Sequence, residues 1–494
     1  MNIIRTSLLA TTALCLVSLN TFAAKSGSKN AAAQPCNKDA AAQTCCKSLY
    51  NPADYDYVYA DNYRPYPGPD TTKALTPTPE GYTPCFFNHY GRHGSRYLIG
   101  KKTYEEPVRI LKEAKADGAL TPYGEQLLEK LIVIANDVRG HYEELTPRGH
   151  KEHQGIATRL HSRFPEIFRP GAHIDAKSSV VIRCILSMSE ELQTLKSLEP
   201  TLDISCDASA GDMVFINQVN RDMDSIALAK GSKAELLWST YRDCTFNPAR
   251  VLNSIYNNES YWKKQLKDPF HFVHEYLWQI SQNIGDTEMA NTISLKDLFT
   301  EDELKQMLLV RNANWYTSYG ASPLHNGRMV YRQRNFIRHI INETDSILAA
   351  QAPKPTLRNF TRSEAANTTA TMHFGHETAL LPTVCFLNLN GAGKQYESMN
   401  NIAPSWMAGQ IFPMGANLQF VFYRKDKPAA AAGMPASNGK KTADKAEDPN
   451  DGILVKVLLN ENEMELSDLT PVTGPYYRWT DLRKYCLDKL AKFQ

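Results

Sequence analysis

The chain has 494 residues, 42% of them hydrophobic and 22% charged, with a formal net charge of +2. At roughly 150 residues per domain, this length predicts two or three structural units around a large core. The near-neutral balance excludes a polybasic membrane anchor and leaves no electrostatic footprint for nucleic acid, so any basic site must be local.

The N-terminus, M-N-I-I-R-T-S-L-L-A-T-T-A-L-C-L-V-S-L-N-T-F-A-A, has a basic start at Arg5, an apolar stretch from Leu8 to Leu19 and small residues at Ala23 and Ala24. That is the anatomy of a cleaved secretory signal over residues 1–24. The apolar stretch is shorter than the ~20 residues a membrane span needs, so no membrane association is expected after cleavage. Cleavage leaves Cys36, Cys45, Cys46, Cys85, Cys184, Cys206, Cys244, Cys385 and Cys486. Export permits disulfides among these, with at least one thiol left over, and no C-x-x-C spacing marks a zinc cluster.

Residues 25–50, rich in Ala, Lys, Gln and Ser, read as a flexible leader. An α/β core is expected over 51–204 and 366–494, interrupted at 205–365 by a mostly helical cap domain. Within the core, Thr121-Pro122 and Thr146-Pro147 each predict a helix start, with Thr as N-cap and Pro at the first helical position. The cap contains helical patterns such as D-P-F-H-F-V-H-E-Y-L-W-Q-I and L-K-D-L-F-T-E-D-E-L-K-Q-M-L. A low-complexity stretch at 425–452 separates the strand-like runs Q-F-V-F-Y-R and I-L-V-K-V-L-L-N-E, which makes it a surface loop between sheet elements.

Three places repeat one pattern: a strand-like run, a tight turn with ionisable residues, then an apolar helix. The first runs from Cys85 to Tyr90 and turns into Arg92, His93, Gly94, Ser95 and Arg96. In the second, I-D-A-K-S-S-V-V-I-R-C-I-L-S-M-S-E-E-L-Q-T-L, Arg183 falls near the strand-to-helix junction. The third, T-T-A-T-M-H-F-G-H-E-T-A-L-L-P, ends its Thr-rich run at Gly375 and presents His376 and Glu377. Groups at the carboxyl ends of strands in an open α/β sheet can converge across long sequence distances.

Collected, Arg92, His93, Arg96, Arg183, His376 and Glu377 suit a phosphate monoester. Planar guanidinium groups match phosphate oxygens with paired hydrogen bonds, and phosphoryl transfer needs mainly positioning and charge stabilisation. A neutral His93 can attack phosphorus, while Glu377 can supply a proton to the leaving alkoxide and later activate water. Gly91 and Gly94 read as positions that allow backbone and anion to approach closely. His150 and His153 read as structural. His373 and His376, three apart on a strand, point to opposite faces and predict no metal site; no cofactor is implied.

In chain order, R-H-G-S-R (92–96), L-T-P-R-G-H (145–150), S-S-V-V-I-R-C-I-L-S (178–187) and G-H-E-T (375–378) resemble the motifs of the histidine acid phosphatase family, clan 2. The resemblance covers roughly residues 82–480 and is nearest to the multiple inositol polyphosphate phosphatase and phytase branch. It implies the histidine phosphatase fold, a mixed central sheet flanked by helices with an inserted helical cap. It also implies His93 as nucleophile, Arg92, Arg96, Arg183 and His376 as the phosphate pocket, and Glu377 as proton donor. Its inositol polyphosphate branch spells the acid element H-A-E and its phytase branch H-D. Here the acid is Glu and directly follows His376. Leu98 stands where a proline is common.

The expected activity is hydrolysis of phytate and lower inositol phosphates, small-molecule substrates, by an exported or periplasmic enzyme. Lys101, Lys102, Arg328, Arg332 and Arg334 are candidate contacts for a highly charged substrate. A broad acid phosphatase or sugar-phosphatase is the nearest alternative, and a non-catalytic phosphate-binding protein the distant one.

Overall fold

The computed structural model describes residues 57–218, 221–351, 364–426 and 450–493. The expected signal (1–24) and leader (25–50), and 427–449 of the expected surface loop, lie outside the described residues. The core elements are β1 (Tyr82–Arg92), α1 (Lys101–Ala116), α2 (Pro122–Asp137), α3 (Pro147–Arg163), β2 (His173–Ser178), α4 (Ile182–Leu198), β3 (Asp203–Asp207) and β4 (Thr368–Gly375). After them come β5 (Asn417–Lys425), β6 (Ile453–Leu459), β7 (Asn462–Glu463) and β8 (Tyr477–Arg478). They form one mixed sheet in the order β3-β2-β4-β1-β5-β6-β7, with β8 also paired to β6. The β3, β2, β4 and β1 side is parallel, and β5 to β8 extend it antiparallel. A mixed central sheet flanked by helices is the architecture that the motifs implied.

Central strands of a parallel array are covered on both faces, which is why β1 from Phe86 onward and all of β4 are buried. The two-residue period divides their side chains. Phe86 and Tyr90 pack with Phe336, Ile340, Leu380 and Trp479 on one face. Phe87, Met372 and Phe374 pack with Ile156 and Leu160 of α3 and Met188 and Leu192 of α4 on the other. The strand-like flanks of the low-complexity stretch are the antiparallel neighbours β5 and β6. Both predicted N-caps form: Thr121 Oγ1 accepts from Gly124 N, and Thr146 Oγ1 from Gly149 N.

A helical layer has its own apolar cluster, built from two separate stretches of chain. Tyr104 and Leu111 of α1 and Leu127 and Leu131 of α2 join Leu252, Trp262, Val273, Trp278 and Met307. Its longest helix, Glu301–Tyr319, opens with a reciprocal capping box between Thr300 and Glu303. The segment Phe272–Trp278 winds as a π-helix.

Among the described residues, no helix is long and apolar enough to cross a membrane. Cys85, Cys184, Cys206, Cys244, Cys385 and Cys486 are free thiols, so the disulfides that export permits do not form among the described residues. Cys36, Cys45 and Cys46 lie outside them.

Candidate active site

The register of the sheet brings the charged turns together. Arg92 on β1 lies opposite Gly375 on β4, and His93 N donates to Gly375 O at 3.1 Å. His376 caps the helix Glu377–Leu387, which makes Glu377 its first residue. From the neighbouring parallel strand, β2 leads through Ser178 and Ser179 into α4, whose second residue is Arg183. All six sequence-predicted residues therefore meet at the carboxyl ends of β1, β2 and β4.

Steric requirements hold the turn in place. A Cβ on Gly94 would stand 2.8 Å from Gly149 O, and one on Gly149 only 2.1 Å from Ser95 O. The turn is thus pressed against the start of α3, and Ser187 Oγ accepts from Gly94 N at 3.1 Å. A Cβ on Gly91 would meet His89 Nε2 at 2.7 Å. The expectation that Gly91 and Gly94 serve anion approach is therefore corrected, because the space each leaves is filled by protein packing. Gly375 is needed for the same reason, since a Cβ there would lie 2.1 Å from Tyr90 Oη. That phenol donates to Ile216 O at 2.9 Å and accepts from His376 N at 3.1 Å.

His93 is fully buried. Its Nδ1 lies 2.9 Å from Gly94 O, and a carbonyl can only accept, so Nδ1 carries the proton and Nε2 the lone pair. Burial, then the guanidinium groups of Arg183, Arg92 and Arg96, hold its pKa well below the ordinary histidine value. The ring is neutral and its free nitrogen nucleophilic. His376 is likewise brought to about 3 by burial and Arg183, and its Nε2 lies 3.2 Å from Ser179 Oγ.

Each guanidinium is braced by protein. Arg92 Nη1 donates to Phe412 O at 2.6 Å and its Nε to Glu377 Oε2 at 3.0 Å. Arg96 Nη1 donates to Tyr97 O, and Arg183 Nη1 to Glu143 Oε2 at 3.2 Å. Arg92 Nη2, Arg96 Nε, Arg183 Nε and His93 Nε2 are buried and find no hydrogen-bond partner among the described residues. Buried guanidinium donors without partners are costly, and an anion bound among Arg92, Arg96 and Arg183 would satisfy the three together. Burial works to raise the Glu377 pKa, but Arg92, with His376 and Arg96, outweighs it and sets it at about 2.

These features decide the comparison with known proteins. The family model described as histidine phosphatase superfamily (branch 2) matches residues 91–460. The chain belongs to this family. Its fold resembles a solved Bifidobacterium longum multiple inositol polyphosphate phosphatase in complex with phosphate, at TM-score 0.68 and 18% identity, covering 87% of this chain and 97% of that one. The same protein in complex with inositol hexasulfate gives 0.67 and 17%, again covering 87% and 97%. A phytase from D. castellii gives 0.54 and 13%, covering 91% and 90%. At these identities the likeness is one of fold. Comparison with curated proteins finds no match.

Sequence reasoning missed several supports of this branch 2 site. Glu143, on the connection between α2 and α3, pairs with Arg183. Glu152 on α3 accepts from Ser95 N and Oγ. His150 and His153 are structural, as read from the sequence, but their partners on α4 were missed: His153 Nδ1 lies 2.7 Å from Glu191 Oε1, both residues buried beneath the turn, and His150 pairs with Glu190 nearer the surface. His373 and His376 diverge, as their spacing predicted. His376 faces His93, and His373 faces Glu343 on the helix Arg334–Ala350.

Of the further cations, Lys101 pairs with Glu105 on the exposed side of α1. Arg328 and Arg334 lie over the Phe493 ring. Arg332 is buried over Tyr319 at 4.4 Å and pairs with Asp224. The next residue, Gln333, donates to Thr378 O at 3.4 Å.

Proposed function

We propose that this protein is an exported phosphomonoesterase that hydrolyses phytate and lower inositol phosphates through a phosphohistidine at His93. The observation that carries the reading is the set of buried guanidinium nitrogens without protein partners, gathered from Arg92, Arg96 and Arg183 around an equally unpartnered His93 Nε2. Three cations exceed the Glu377 and Glu143 carboxylates by about one positive charge, and by about two once Glu377 is protonated, an excess that a phosphate monoester dianion answers. The helical layer then acts as the cap over the outer phosphates. The N-terminal segment supports export.

In the proposed mechanism, His93 Nε2 bonds to phosphorus as the P–O ester bond breaks. The bond from Nδ1–H to Gly94 O holds the ring and steadies the positive charge it gains. Glu377 is ionised in the free site. The incoming dianion engages Arg92 and places negative charge beside the carboxyl, and both effects raise its proton affinity. Protonated Glu377 then delivers its proton to the departing alkoxide. Its carboxylate next takes a proton from water, which attacks phosphorus, breaks the P–N bond and releases inorganic phosphate.

The test is phosphate release from phytate by the purified protein beside His93→Ala, with alkali-quenched trapping of labelled phosphoenzyme, since the P–N bond survives base and not acid. Release and a labelled histidine in the wild type, both lost in the variant, are expected. Equal release from both proteins would overturn the mechanism. Specificity constants for phytate against glucose phosphates separate this reading from a broad acid phosphatase, and tight phytate binding without release would identify a binding protein.

A further inference from the structure

A second group of ligating side chains lies on the sheet face away from α3 and α4. His339 and Glu343 are one helical turn apart on the helix Arg334–Ala350, so both point the same way. His373, on β4, faces them. One ligand atom from each lies within 4.8 Å of the others. We propose that His339, Glu343 and His373 bind a divalent transition-metal ion, zinc being the best match to two imidazoles and a carboxylate.

The distances favour coordination over hydrogen bonding. Glu343 Oε1 lies 3.4 Å from His339 Nε2 and 3.6 Å from His373 Nε2. Those separations are too long for sound hydrogen bonds. They are close to the ~3.3 Å edge of a tetrahedron whose bonds to nitrogen and oxygen are about 2.0–2.1 Å. His339 Nε2 is buried and has no hydrogen-bond partner among the described residues.

The surrounding contacts already orient all three groups. His373 Nδ1 lies 3.3 Å from His89 O, a carbonyl that can only accept, which leaves the lone pair on Nε2. Asn88 Nδ2 and Thr371 Oγ1 both donate to Glu343 Oε2 at 2.8 Å, leaving Oε1 to face the histidines. Phe215 stacks on the His339 ring at 3.6 Å between centroids. The two imidazoles stand edge to face at 90° with centroids 5.3 Å apart, and the Nε2 of each faces Glu343 Oε1. His339 is 26% exposed, Glu343 13% and His373 1%, which gives an ion entry from the His339 side. Lys177, the register partner of His373, is held by Asp175 at 2.6 Å.

His93, His376 and Glu377 also place ligand atoms within 4.8 Å of one another. There three guanidinium groups oppose a cation and Arg92 already occupies the carboxylate, so electrostatics directs the ion to the Glu343 group. A bound ion would tie the helix Arg334–Ala350 to β4, three residues before His376.

Full-length protein stripped with chelator and titrated with zinc chloride, by calorimetry and by thermal unfolding, tests the site. Wild type and His93→Ala should each bind one equivalent that raises the unfolding temperature. His339→Gln and His339→Phe, the latter keeping an aromatic ring against Phe215, should weaken that equivalent at least ~10-fold and abolish the temperature shift. Either His339 variant suffices if the other misfolds, and Glu343→Gln provides the same readout from the second ligand. Zinc that does not bind wild type, binding and shift unchanged in the folded variants, or loss of the equivalent in His93→Ala would each overturn the proposal.

Discussion

Arg92 Nε donates to Glu377 Oε2 at 3.0 Å, and the same oxygen stands 3.7 Å from His93 Nε2. The carboxylate thus lies among the arginines, directly before the proposed nucleophile His93, held ionised by the arginine that the substrate is proposed to engage. Glu377→Gln keeps the shape and removes the proton. Turnover of inositol phosphates, whose alkoxide leaves poorly, should fall ~10²-fold or more, with a much smaller loss for an activated aryl phosphate. Steady-state kinetics on both substrates checks this, and equal losses would contradict a donor role.

Gly149 and Ser95 meet with no room for a side chain. Gly149→Ala places a methyl 2.1 Å from Ser95 O, on the carbonyl that also accepts from Thr146 N and Oγ1. Overpacking of this kind costs about 1–3 kcal/mol. The expected outcome is a lower denaturation midpoint together with a kcat reduced more than tenfold, because the turn carrying His93 and Arg96 must shift. A folded variant with unchanged kcat would show that α3 yields instead.

Beneath the same turn, Glu191 is fully buried between His153, at 2.7 Å, and His89, at 3.8 Å. Glu191→Ala leaves two enclosed imidazoles without their acid, and leaving a buried polar group without its hydrogen-bond partner costs about 1–3 kcal/mol. Urea denaturation should register the loss. Stability within 1 kcal/mol of wild type, by ~1.4 kcal/mol per tenfold change in folding equilibrium, would mean that the pair contributes little.

Stability should fall on acidification before the carboxylates titrate. Burial brings His89 from 6.5 to about 4, and burial with Arg183 brings His376 to about 3. A depressed histidine pKa means that the unfolded chain binds the proton first. The stability each residue contributes is therefore complete above pH 6.5. It declines as pH drops and is exhausted near 4 for His89 and near 3 for His376. For His89 the span amounts to roughly 3 kcal/mol. Glu377, lowered to about 2, extends the decline in the same direction below pH 4.5. Denaturation midpoints at pH 7, 5.5 and 4.5 test this, and a flat profile across them would contradict it.

Much of this molecule was legible from local pattern. R-H-G-S-R after an aromatic run, Arg183 at a strand-to-helix junction and His376-Glu377 after a Thr-rich strand each name a charged turn, because turn chemistry and helix starts depend on neighbours in sequence. The two Thr-Pro caps were readable for the same reason, as were the strands flanking the low-complexity stretch.

Other features depended on which strands pair and in what register. Parallel pairing of β1 with β4, with Arg92 opposite Gly375, is what sets Glu377 against Arg92 and His93. The packing of α3 on the turn shows that Gly94 serves the fold rather than the anion. His339, Glu343 and Asn88 come from distant stretches of chain and meet at His373 only because the helix Arg334–Ala350 docks on the face shared by β1 and β4. The sequence by itself determined which residues could do chemistry, since side-chain type and local turns are short-range properties. Which of them touch, and so which roles each can be proposed to take, was decided by the tertiary structure, because contact across hundreds of residues follows from strand register and helix packing.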